Sequence, residues 1–345
     1  MTVVRSALVR TVIEDASVGE QTQPHPRQAA AMVVFGAWMI TGLFLDGWSH
    51  VHHRPETFFT PWHGVLYSGF LAGVLWFALD GRSARAEEGL VGGRLTAIGL
   101  VVFAGAAAGD FVWHSVFGIE RNIAALLSPT HLLLMTGGAL LVTAPVRDAW
   151  ARRSPRKSTW REFWPVAGSL VLTVALVLFF LQYLSPFRAL VVQQSPSRFF
   201  ANATETAEIR TIASVLITTV VLLGAVLFIR RRWDPPPGTF TVLFAVPAVA
   251  MSGLDDFHRL PLALCAIVGG LVADLLGEAD VGPRWLGIGA AAATWLPYFL
   301  VFKFDYDLPW TVHLWIGTVF LAALTALGLS LLAEPPRVPD GAQCR

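Results

Sequence analysis

Apolar stretches long enough to be membrane spans recur ten times along the 345-residue chain. They fall at about 28–48, 61–79, 94–115, 129–146, 163–184, 208–229, 239–256, 260–276, 284–302 and 309–333. A helix needs roughly 20 mostly apolar residues to cross a hydrocarbon core. Backbone polar groups cannot go unpaired in lipid, so the expected fold class is an all-α integral membrane protein, a polytopic bundle of about ten transmembrane helices. Only 14% of the residues are charged and the mean hydropathy is +0.58, where soluble domains carry roughly a quarter charged residues. The seventh and eighth spans are divided only by "DDFHRLP", which suits a tight hairpin or a pair of short helices.

Basic residues set the expected orientation. With both termini inside, eighteen of the 25 lysines and arginines fall on inner segments, including the blocks "RDAWARRSPRKSTWR" and "RRRWDPPPG". That asymmetry follows the positive-inside tendency. It divides the chain into a cytoplasmic tail (1–27), a four-helix half (28–146), a basic cytoplasmic loop (147–162), a six-helix half (163–334) and a second tail (335–345). Residues 1–27 lack the apolar core and small-residue cleavage site of a signal peptide. The stretch "TVVRSALVRTVIED" within them reads as a short amphipathic surface helix or as a tail. Arginine dominates over lysine, which occurs only at Lys157 and Lys303, and alanine and glycine are abundant, a bias that suggests a bacterial GC-rich genome; for a multi-pass chain the expected location is then the bacterial plasma membrane. A net charge of +1 makes no case for nucleic acid, and Cys265 and Cys344 offer no disulfide framework.

On this topology eight of the nine histidines lie at outer span ends, and only His25 lies inside. Their spacing carries more than their number. In "DGWSHVHHRPETFFTPWH", Asp46 and His50 stand four apart on one helix face, and His63 opens the returning helix. The pattern recurs in "DFVWH" and "SPTHLLLMTGG", with Asp110, His114 and His131. The phrases "TPWHGVLYSG" and "SPTHLLLMTGG" share a proline, a histidine two later and a glycine six beyond that, the mark of a duplicated two-helix unit. Fainter echoes stand in "LDDFHRLP" and "DYDLPWTVHLWIG".

Each unit supplies two imidazoles and one carboxylate, a set that suits copper, non-haem iron or zinc with open coordination positions. An acidic residue costs roughly 2.5–3.5 kcal/mol at the centre of a span and less toward its ends, and a bound cation would offset that cost. The same residue types also serve as helix caps or interfacial groups, and His52 and His53 read as solvated loop. Glu56, Glu120, Asp255, Asp256, His258 and His313 are candidates for residues behind the ligands or for a third site. Trp48, Trp62, Tyr67, Phe111 and Trp113 are expected to line the pocket, or else to anchor the interface. Arg188, Arg198, Glu205, Glu208 and Arg210 read as a solvated outer loop or a partner-docking surface.

The Asp-x3-His-x12-His pattern of Asp46, His50 and His63 resembles the metal motif in the C subunit of the copper membrane monooxygenases. The resemblance covers about residues 40–140. It implies copper, oxidation of a small apolar substrate with dioxygen, and additional membrane or periplasmic subunits. By the same resemblance, Asp46, His50 and His63 form one copper site, and Asp110, His114 and His131 its neighbour. The second set departs from the family pattern: Asp110 replaces an asparagine and sixteen residues separate the two histidines.

Other functions use these residues differently. A soft-metal transporter would place methionine or cysteine among the ligands. None of the five methionines and two cysteines lies in the outer cluster, which leaves Asp274, within the eighth span, as the residue in favour of transport. Paired histidines on facing helices can hold haem, but the accompanying aspartates have no role there. A membrane zinc hydrolase, in which a spare carboxylate acts as general base, and a non-enzymatic metal-delivery subunit or homo-oligomer remain open.

Overall fold

The computed structural model describes residues 26–52, 54, 59–80, 91–118, 123–151, 157–188 and 201–334. Its regular elements are helical: α1 (Pro26–Val51), α2 (Pro61–Asp80), α3 (Gly93–Phe117), α4 (Ile123–Leu127), α5 (Pro129–Val142), α6 (Ala144–Ala151), α7 (Trp160–Phe180), α8 (Ala201–Arg232), α9 (Thr239–Gly253), α10 (Leu260–Glu278), α11 (Pro283–Asp305) and α12 (Val312–Ala333). One isolated β-bridge joins Lys157 and Asp234.

Eight of these helices are long and apolar enough to cross a membrane, so the chain is a multi-pass membrane protein. Two expected spans take other forms. The fourth is a broken pair, α5 and α6, bent by 43° at Thr143. Arg147 sits just past the bend and donates to the carbonyls of Leu140 and Gly92, satisfying an otherwise free carbonyl in the last turn of α5. The seventh, α9, has 15 residues; at 1.5 Å per residue it reaches only about 22 Å and cannot cross straight. The sixth is longer than its apolar stretch. Helix α8 begins at Ala201, so Glu205, Glu208 and Arg210 belong to its first turns rather than to a loop. Arg198 lies outside the described residues.

Helix α7 is the axis of the bundle. Phe163, Val174, Leu178 and Phe179 are buried along it, and it packs against α1, α5, α6, α8 and α9. To one side, α1 pairs with α2 and α3 with α5; to the other, α9, α10, α11 and α12 pack in sequence and α8 closes onto α12. The outward faces carry exposed Leu75, Val101, Phe320 and Leu332, a surface suited to lipid.

Two hairpins repeat one construction. Helices α2 and α5 open with Thr60-Pro61 and Ser128-Pro129. The Thr60 and Ser128 hydroxyls accept from the amides of His63 and His131, at 3.3 and 3.2 Å. A Ser/Thr N-cap followed by proline is a strong helix start, and here it fixes each histidine in the first turn. The glycines six residues on, Gly69 and Gly137, are where each helix crosses its partner. A Cβ on Gly69 would lie 2.9 Å from the Met39 nitrogen, and one on Gly137 would lie 2.7 Å from the Phe103 nitrogen. The shared sequence pattern is thus a shared cap and a shared crossing.

Candidate metal centre

The hairpins bring each aspartate to its two histidines. In the second set a single oxygen does the work. Asp110 Oδ1 lies 3.5 Å from His114 Nε2 and 3.3 Å from His131 Nε2. One ligand atom from each of the three residues lies within 4.8 Å of the others, the one such group among the described residues. The Asp110 side chain is 1% exposed, His114 6% and His131 16%.

In the first set the carboxylate is divided. Asp46 Oδ2 faces His50 Nε2 at 3.5 Å, and Oδ1 faces His63 Nε2 at 3.3 Å. The three residues meet around Asp46, but their ligand atoms do not converge as closely as those of the second set.

Backbone carbonyls fix the second set's histidines. His131 Nδ1 bonds the Ala125 carbonyl, contributed by the short helix α4, and His114 Nδ1 bonds the Gly118 carbonyl at 3.2 Å. A carbonyl only accepts, so both Nδ1 atoms carry hydrogen. Each Nε2 facing Asp110 is then either a bare lone pair or the second N–H of an imidazolium. Lone pairs aimed at a carboxylate at 3.3–3.5 Å repel it. A cation among the three groups would turn that repulsion into ligation, and Nδ1–H bonded to a carbonyl is how ligating histidines are ordinarily oriented.

Asp110 itself is held by the Thr130 hydroxyl, which donates to Oδ1 at 2.8 Å. Oδ2 is buried and makes no hydrogen bond of ordinary geometry. A buried carboxylate oxygen of this kind fits the donor set of a divalent cation.

Both sets open onto one cavity of about 40 Å³. Its polar lining is Asp46, His63, Tyr67, Asp110 and His131; the remainder is apolar, with Met39, Leu43, Phe103 and Phe180 among it. The sets are close enough that Asp46 and His131 interact electrostatically. Tyr67 lies within reach of both carboxylates.

Of the five aromatics expected to line the pocket, Tyr67 alone does so. Trp48 sits two residues from both Asp46 and His50, and Phe111 one residue from Asp110, so each is turned away around its helix. Trp62 packs edge-on against Trp48 with ring centroids 6.0 Å apart, Phe59 packs against Phe111 at 5.9 Å and Trp113 against Phe117 at 4.5 Å.

The six further candidates separate as well. Asp256 accepts from the Trp48 indole at 2.7 Å and from His52 Nε2 at 2.8 Å, while His52 Nδ1 donates to the Trp48 carbonyl at 2.7 Å. Through these contacts the His52 ring clasps the end of α1 to the α9–α10 turn. The hydrogen bonds from Trp48 and His52 hold the Asp256 carboxyl below the usual carboxylate range. Asp256 and Phe257 occupy left-handed backbone, with φ of 53° and 60°. Asp255 and His258 share this turn, His313 is exposed at the start of α12, and none of the three lines the cavity. Glu56, Glu120 and His53 lie outside the described residues.

Asp274 has a structural role. Its carboxylate accepts from the Phe240 and Thr241 amides at 3.0 and 2.9 Å and from the Thr241 hydroxyl at 2.6 Å. It caps the first turn of α9 from α10, where Gly270 allows a close approach: a Cβ there would lie 2.6 Å from Thr241 Cα. This occupied carboxylate does not argue for a transport path.

Thr130, Thr60 and Ser128 bond to members of the two sets, and residue spacing did not single them out. The Ser/Thr-Pro start is a recognisable cap signal; Thr130 carries no local signal, since its partner lies twenty residues away.

Comparison with family models, with curated proteins and with solved structures finds no match.

Proposed function

We propose that the chain is a membrane-embedded metalloenzyme in which the two Asp/His sets hold copper or iron and a small apolar substrate is oxidised with dioxygen. The observation that carries the reading is the pair of carbonyl-anchored histidines, His114 and His131, presenting Nε2 to one buried Asp110 oxygen. The apolar walls of the adjoining cavity suit an apolar substrate better than a hydrolytic one, which would bring polar groups into a dry chamber. The local resemblance to the C subunit of copper membrane monooxygenases favours copper over iron and zinc, and suggests that further subunits supply electrons. The distribution of basic residues favours a site facing the outer side of a bacterial plasma membrane.

Asp110, His114 and His131 would hold one ion, with Thr130 orienting the carboxylate. Asp46, His50 and His63 would hold a second ion or complete a shared site. A redox metal held there supplies the electron-transfer chemistry that dioxygen requires. The protein's own part is to fix the ligands, to exclude water with Leu43, Phe103 and Phe180, and to admit substrate from the lipid side.

The test is oxygen uptake by copper-loaded protein with an electron donor and a short hydrocarbon. Substrate-dependent uptake that His114→Ala abolishes supports the reading. Bound metal without uptake favours a metal-delivery subunit, and zinc-dependent hydrolysis favours a membrane hydrolase.

A further inference from the structure

The floor of the cavity is built at one level. Met39 stands seven residues before Asp46 on α1, Phe103 seven before Asp110 on α3, and Gly138 seven after His131 on α5. Seven residues are nearly two helical turns. Each therefore lies on the face of its helix that carries the aspartate or histidine, about 10 Å deeper along the axis. All three line the cavity, with Leu176 of α7 beside them, and all four residues are buried. Met39, Phe103 and Leu176 give this floor an apolar surface.

Gly137 and Gly138 are neighbours that are glycine for different reasons. A Cβ on Gly137 would lie 2.7 Å from the Phe103 nitrogen, so the α3–α5 crossing requires glycine there. A Cβ on Gly138 would clash with nothing: its nearest atoms are Leu176 Cδ2 at 3.7 Å and Met39 Cε and Phe103 Cε2 at 3.8 Å. The backbone at Gly138 is ordinary α-helix. Neither packing nor conformation forbids alanine there, and glycine weakens a helix relative to alanine. The three neighbours are the floor's own side chains, so a methyl on Gly138 would stand in the chamber. What Gly138 provides is space.

An apolar cavity of about 150 Å³ stays dry and takes benzene or xenon. This chamber has about 40 Å³. On the same scale it holds roughly one to three heavy atoms. A single added methyl is one such atom and removes a large part of the room.

We infer that Gly138 sets the size limit of an apolar, gas-sized ligand held on this floor, beneath the two Asp/His sets. The inference rests on the proposed function and adds to it a residue that selects the ligand by size without touching the metal.

Xenon, a monatomic apolar probe, reads the floor without any metal. Crystals of full-length wild type and of Gly138→Ala are pressurised with xenon and its anomalous scattering is located. Metal content and thermal stability of both proteins are measured alongside. The expected result is a xenon peak against Met39, Phe103 and Leu176 in the wild type and its loss in Gly138→Ala, with metal content unchanged and stability equal or higher. No xenon on the wild-type floor overturns the inference, as does equal occupancy in the two proteins; either leaves the metal reading standing. A Gly138→Ala chain that does not fold contradicts the space assigned to the methyl and overturns it too. So does loss of metal in a folded Gly138→Ala, because the glycine would then serve the ligand geometry. Xenon held by the wild type and expelled by the variant, in protein that binds no copper, iron or zinc, upholds the size limit and removes the metal reading.

Discussion

Thr130 Oγ1 donates to Asp110 Oδ1 at 2.8 Å across the α3–α5 hairpin, and that one oxygen also faces His114 and His131. The hydroxyl therefore sets the direction of the carboxylate relative to both imidazoles. Thr130→Val keeps the shape and removes the donor. Metal affinity at this set is expected to fall about 10- to 100-fold, the usual effect of removing a partner that orients a ligand. Competitive metal titration measures it; an unchanged affinity would mean that Asp110 needs no such support.

The hairpins depend on close helix crossings. Gly42 lies four residues before Asp46, and a Cβ there would fall 2.4 Å from the Leu66 nitrogen, three residues after His63. Gly42→Ala must push α1 from α2 and draw Asp46 away from His63. A destabilisation of about 1–3 kcal/mol is expected from such overpacking, with weakened metal binding at the Asp46 set. Gly64→Ala, whose Cβ would meet nothing within 4 Å, serves as the control and should cost nothing. Equal melting temperatures for the two variants would refute the crossing argument.

Asp274 gives a contrasting case, an acidic residue within a span that binds no ion in this account. Asp274→Ala strands the Phe240 and Thr241 amides at the start of α9. Each buried unsatisfied donor costs about 1–3 kcal/mol, so thermal stability should drop while metal content stays constant. A loss of metal with intact stability would return Asp274 to the functional residues.

The clasp at the end of α1 predicts an acid transition. Hydrogen bonds from Trp48 and His52 depress the Asp256 pKa below its ordinary value of 3.8. A carboxylate with a depressed folded-state pKa contributes stability that is fully present above the unfolded value and is lost as pH falls through the folded one. The clasp should therefore hold at neutral pH and release only below about pH 4. Tryptophan emission followed on acidification should include a step from Trp48 that Asp256→Asn lacks; the same step in both would place its origin elsewhere.

Much of this centre was legible in the linear sequence. The i,i+4 spacing of Asp46 with His50, and of Asp110 with His114, depends only on helix geometry, and the Ser/Thr-Pro-x-His starts place His63 and His131 in first turns. What spacing alone could not supply is tertiary. That both sets face one cavity depends on how the α1–α2 pair meets the α3–α5 pair. That Asp256 serves the end of α1 depends on a contact spanning 204 residues to His52. Trp48, Trp62, Phe111 and Trp113 misled for a simpler reason: nearness in sequence to a ligand is not nearness around a helix. The apolar length of α9 likewise suggested a crossing that its 15 residues cannot make straight.

The central claim is that Asp110, His114 and His131 bind a metal ion, and metal content tests it most directly. Copper, iron and zinc should be quantified in purified wild-type protein and in His114→Ala and His131→Ala, each shown to retain its fold by thermal unfolding. The account predicts bound metal in the wild type and its loss in both variants. Folded variants that keep the wild-type metal content, or a wild type that binds none on loading, would contradict it.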